Sequence, residues 1–75
     1  MKVNTPDDVA NCIRKRREDI NMSQRMLMKK SDVGHATISR VENRETDIVL
    51  GSLLKVLNAL GLEMHIEKKE KDSIC

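Results

Sequence analysis

Up to Gly61 the apolar residues recur at helical spacing, and beyond it they alternate strictly, so the change of period divides the chain. Val9, Cys12, Ile13 and Ile20 share one stripe of a first helix, which the spacing predicts behind Thr5 as N-cap with Pro6 at the first helical position. Asp7 and Asp8 suit the positive end of its dipole, as Arg14 to Arg17 suit the other end. Asn21, Met22 and Ser23 break the pattern, and Ser23 can cap a second short helix running through Leu27 to about Lys30. Ser31 to Gly34 supply turn chemistry, after which a third short helix is predicted over Ala36 to Glu42, with Ile38 and Val41 on one face. Asn43 to Asp47 reads as a polar loop. From Leu50 the residues Leu53, Leu54, Val56, Leu57 and Leu60 are apolar nearly all round, which predicts a buried fourth helix ended by Gly61.

After Gly61, Leu62, Met64 and Ile66 alternate with Glu63, His65 and Glu67, which predicts one β-strand over residues 62–68. No other segment offers that strand a partner, so the expected partner is the same strand of a second copy. Residues 69–75 are a charge run without apolar periodicity and are expected to form a disordered tail. The expected fold class is therefore all-α, a compact four-helix domain over residues 4–61 with one C-terminal β-strand pairing across a homodimer.

Composition narrows the function. Phe, Trp and Tyr are absent, so the core must be built from aliphatic residues and Met, and single-strand modules that stack bases on aromatic platforms are excluded. The net charge of +2 conceals an asymmetry: residues 9–44 hold nine Lys/Arg against four Asp/Glu, while both flanks are net acidic. An anion is expected to bind in the middle of the chain. Cys12 and Cys75 have neither metal-ligand nor redox spacing, and they read as a small core residue and an incidental thiol. No metal or cofactor is expected. No stretch is apolar enough for a membrane span and the first residues carry no apolar signal region, so the cytoplasm is the expected compartment. No Ser/His/Asp or Cys/His set falls in one site and no Gly-rich phosphate loop exists, which argues against an enzyme.

Two short helices joined by a tight turn within a basic segment are the elements of a DNA-reading helix-turn-helix. Leu27 and Val33 are spaced to bury between them. Ser23 and Gln24 open the first of the pair, where free backbone N–H groups and an amide can hold a phosphate. Asn43 and Arg44, at the exit of the second, are likewise assigned to the DNA backbone. His35, Ala36, Thr37, Ser39 and Arg40 remain outward on the second helix as candidate base readers, being short or polar side chains. Arg14, Lys15 and Arg16 read first as a solvated helix end, with phosphate contact as the competing role.

With these residues placed, the chain resembles the Xre-type, lambda-repressor-like helix-turn-helix regulators. The resemblance runs from Thr5 to Gly61 and rests on Ile13-Arg14, Arg17, Ser23-Gln24, Leu27, Val33, residues 37–43 (TISRVEN) and residues 53–61 (LLKVLNALG). Four helices followed directly by residues 62–66 (LEMHI) look most like the HipB-like antitoxins, whose dimers are closed by paired C-terminal strands. The resemblance pairs Arg17 with Glu42 as a partly buried ion pair. It implies a palindromic double-stranded operator, autorepression, a kinase-like toxin as a further partner, and a bacterial or phage, nucleoid-associated setting. A stand-alone phage or restriction-system regulator, or a toxin-binding module with weak DNA binding, is the alternative. The chain departs from the family pattern at Met28 in place of Ala, at Asp32 in place of a turn Gly, and at Gly34 and Val49 in place of capping residues.

Overall fold

The computed structural model describes residues 2–68, and the tail expected over residues 69–75, Cys75 included, lies outside them. Four helices follow in order: α1 (Pro6–Asp19), α2 (Gln24–Ser31), α3 (His35–Glu42) and α4 (Leu50–Ala59). Thr5 caps α1 by accepting from the Asp8 N–H at 3.1 Å. The Asp8 carboxylate reaches back to the N–H groups of Asn4 and Thr5, at 2.9 and 3.2 Å, so Asp8 closes a capping box as well as meeting the dipole. Ser23 caps α2 in the same way, accepting from Met26 N–H at 3.1 Å.

Three of the helices end alike. Asn21, Arg44 and Gly61 each take a positive φ (56°, 65° and 72°) just after α1, α3 and α4. In each case the next two N–H groups fold back onto carbonyls of the last turn: Asn21 to Glu18 and Met22 to Arg17, Arg44 to Val41 and Glu45 to Arg40, Gly61 to Asn58 and Leu62 to Leu57. These are Schellman closures, and only the last uses the glycine that adopts this backbone without steric cost. Asp32 at the end of α2 is also left-handed, at φ 59°.

The core is one cluster of Ile13, Leu27, Val33, Ile38, Val41, Val56, Ala59 and Leu60, with Met22, Met28, Leu53 and Leu57 packed around it. Helix α3 lies at its centre, touching α1, α2 and α4, while α2 also packs on α4. Burying each large aliphatic side chain contributes about 1.5–3 kcal/mol, and this is what holds helices of eight residues that would not persist alone.

Three expectations about burial, at Ile20, at α4 and at Cys12, need correction, and the strand expected from pairing with a second copy is not formed by one copy alone. Ile20 does not join the buried stripe of α1: the helix ends at Asp19, Ile20 becomes its C-cap and stays 37% exposed, and fully buried Ala10 takes its place beside Ile13. Helix α4 is not buried all round. Its inner face carries Val56 and Ala59, with Leu60 beyond, but Leu50 and Leu54 are 60% and 43% exposed because no helix covers the outer side. Residues 62–68 form no strand, and no strand occurs among the described residues. Leu62 rests against the core, whereas Ile66 is 91% exposed. Alternation in sequence supplies a two-faced segment, but a strand needs a neighbour to satisfy its N–H and C=O groups, and one copy of the chain has none to give. An open apolar groove lined by Val9, Cys12, Leu53, Leu57 and Leu62 runs beneath this segment, and Cys12 is half-buried there rather than in the core. No helix among the described residues is long and apolar enough to cross a membrane.

Candidate nucleic-acid interface

The two helices are locked together by one carboxylate. Glu42, the last residue of α3, is 2% exposed. It accepts from Arg17 Nε at 2.8 Å and Arg17 Nη2 at 3.0 Å, a bidentate pair, and from Gln24 Nε2 at 3.1 Å. Arg14 adds a longer contact at 3.8 Å and donates to the Glu42 carbonyl at 2.8 Å. Burial pushes the Glu42 carboxyl up, but the hydrogen bonds from Arg17 and Gln24 and the charges of Arg17 and Arg14 outweigh it and hold the group below its ordinary value. Gln24 is the first residue of α2, so this junction fixes the start of one helix of the pair to the end of the other and ties both to α1.

What the junction leaves free is the outer face of α3. Ile38, Val41 and Glu42 point inward; His35 and Ala36 are exposed, and Thr37 and Ser39 are partly so. Gly34 caps α3 without a side chain, so no capping side chain occupies the first N–H groups of the helix. Ser23 and Gln24 stand at the N terminus of α2. The Ser23 hydroxyl oxygen already accepts its cap bond, leaving its O–H to donate outward, and Gln24 has one amide hydrogen committed to Glu42. Asn43 donates to Ser39 Oγ at 3.4 Å, and Arg44 pairs with Asp7 at 3.0 Å on the surface. Arg40 is not a loose outward side chain: its Nε donates to Glu45 Oε1 at 3.0 Å and its Nη2 to the Asp47 carbonyl at 2.8 Å.

Arg14 and Arg16 in the basic run of α1 are more than a solvated helix end, whereas Lys15 is exposed. Arg14 caps the end of α3, Arg16 Nε donates to the Leu60 carbonyl at the end of α4 at 2.9 Å, and Arg17 Nη1 donates to Met22 carbonyl just past α1 at 3.0 Å. The guanidinium groups of Arg14 and Arg16 each meet the negative end of a helix, and that of Arg17 ties down the link between α1 and α2. Sequence reasoning missed the roles of Arg14 and Arg16, and the one signal it had was a run of arginines richer than one helix end requires.

A short helix pair joined by a three-residue turn, buttressed by a third helix and presenting one polar, N-terminally uncapped face, defines a helix-turn-helix domain. A family model described as Helix-turn-helix matches residues 13–66, and the chain belongs to that family. Antitoxin HipB of Escherichia coli strain K12 is 33% identical over 66 residues, which span 88% of this chain and 75% of that protein. Among solved structures, HipB in a HipA-HipB-O2-O3 complex and HipB in an O4 20mer complex each superpose with a TM-score of 0.85 at 30% identity, over 93% of this chain and 99% of the other. A mutant of a restriction-modification controller protein superposes with a TM-score of 0.70 at 25% identity, over 84% of this chain and 80% of that one.

Proposed function

We propose that the protein is a sequence-specific double-stranded DNA-binding regulator that represses its own operator and serves as the antitoxin of a toxin-antitoxin pair. The observation that carries this reading is the buried Arg17–Glu42–Gln24 junction, which sets α2 and α3 rigidly against each other while leaving one face of α3 open. In the proposed complex α3 enters the major groove, where His35, Ala36, Thr37, Ser39 and Arg40 meet base edges. Ser23, Gln24, Asn43 and Arg44 contact phosphates. The likeness to antitoxin HipB, whose solved complexes include one with HipA and one with an O4 20mer, supports extending the reading from DNA binding to a toxin partner. The likeness to a restriction-modification controller protein supports the stand-alone regulator as the second reading.

The functional unit in this reading is a two-fold homodimer working in the cytoplasm on the bacterial or phage nucleoid. Residues 62–68 of the two copies pair as antiparallel strands through Leu62, Met64 and Ile66. Support comes from the exposure of Met64 and Ile66 and from the strict alternation of apolar and polar residues along a segment that belongs to no helix or strand of the single copy. Two experiments test the two halves. Gel shifts with the DNA upstream of the protein's own gene should show binding at least about 1,000-fold tighter than to scrambled duplex at the same salt. Co-expression with the product of the adjoining gene should give a stable complex. Equal affinity for both duplexes would remove the regulator; no complex with a neighbouring kinase-like protein would leave the stand-alone reading.

A further inference from the structure

We propose that Glu45 is a positioning residue for sequence readout: with the Asp47 carbonyl it grips one edge of the Arg40 guanidinium and presents the opposite edge to DNA. This rests on the DNA-binding reading above and adds to it a residue outside α3. A guanidinium carries two forks of N–H donors, one formed by Nε and Nη2 and the other by Nη1 and Nη2. Glu45 Oε1 takes Nε at 3.0 Å and the Asp47 carbonyl takes Nη2 at 2.8 Å, so the first fork is occupied from the loop side. The Nη1–Nη2 fork stays available for two acceptors, the geometry by which arginine reads the O6 and N7 edge of guanine.

The backbone makes this grip firm. Glu45 N–H donates to the Arg40 carbonyl at 3.1 Å as part of the closure that ends α3, with Arg44 between them at φ 65°. Residues 40 and 45 are therefore joined twice, once through main chain and once through side chains. Arginine is rich in rotamers, and a guanidinium already ordered before binding loses less freedom when it meets a base. A carboxylate at this edge also repels phosphate, which weakens binding to every sequence alike. Those two effects separate by experiment, because the repulsion depends on charge and the positioning on an acceptor at Nε.

Glu45→Ala and Glu45→Gln remove the same charge, but only the glutamine keeps an acceptor for Nε. Affinities of both variants are measured at one salt concentration for a duplex that the wild type selects from a random pool and for its scrambled counterpart. Both variants should gain equally on scrambled DNA. On the selected duplex Glu45→Ala should fall about tenfold below Glu45→Gln, and the difference should vanish when Arg40→Ala is added to each. Nitrogen-15 NMR of the free proteins should show an ordered Arg40 Nε–H in wild type and Glu45→Gln and an averaged one in Glu45→Ala. Equal preference for the selected duplex in the two variants overturns the proposal while the DNA-binding reading stands. A wild type that selects no duplex overturns both.

Discussion

At Glu42 the cost of removing a carboxylate from water is set against three hydrogen-bond donors and the nearby charge of Arg14, and together these win. The side chain is 3% exposed and that of its partner Arg17 is 16% exposed, so neither charge is relieved by solvent. Replacing one member of such a pair strands the other, at a cost of about 3–5 kcal/mol. Glu42→Gln should accordingly lower the urea stability by about 3 kcal/mol at pH 7. Because the carboxyl is held below its ordinary value in the folded state, its contribution is fully present above about pH 4.3 and is lost as the pH falls through the depressed folded value. The gap between wild type and Glu42→Gln should therefore narrow below pH 4.3, and a gap that stays constant down to pH 2 would show that Glu42 does not carry it. Asp32 is a residue-scale cost rather than a gain: a non-glycine at φ 59° beside the negative end of α2. Asp32→Gly relieves both terms while adding backbone freedom to the unfolded chain, so thermal melts should show a change between zero and about 1 kcal/mol of added stability.

At the scale of elements, every helix start was legible because its signals are local. Thr5 with Pro6, Ser23 with its following turn, and the apolar spacing of Ile38 and Val41 act within a few residues, and the helices begin within a residue of where those signals place them. Helix ends and partners were less legible. Nothing local says that Arg14 reaches the end of α3 or that Arg16 reaches the end of α4, since both contacts form only when distant segments meet. The same holds for Arg40, which the sequence presents as an outward reader and the structure as a side chain braced on the loop after its own helix. Sequence also overstates the burial of α4, because an all-apolar helix says nothing of how many sides its neighbours can cover. Arg16→Met keeps the aliphatic stem and deletes the donor to Leu60, and should cost about 1–2 kcal/mol in denaturant melts. A neutral result would return Arg16 to the role of a solvated charge.

For the whole molecule, the described chain is a helical unit with two unfinished surfaces: the polar face of α3, and the segment carrying exposed Met64 and Ile66 over the apolar groove. In the proposed dimer each completes the other, since pairing residues 62–68 across a two-fold axis sets two α3 helices about 34–36 Å apart, one turn of the duplex. Ile66→Asp places a charge where the second copy is expected, and sedimentation equilibrium at micromolar concentration should show the wild type dimeric and the variant shifted toward monomer. A fully dimeric variant would move the interface elsewhere. The basic middle of the chain serves this geometry, although three of its arginines are committed to helix ends and Glu42 rather than to phosphate. The most direct measurement is selection of bound duplexes from a random pool by the purified full-length protein. The expected result is a palindrome whose half-sites lie about one helical turn apart, enriched by wild type and lost with Thr37→Ala combined with Ser39→Ala at unchanged thermal stability; recovery of no preferred sequence, or enrichment that survives those substitutions, would contradict DNA reading by α3.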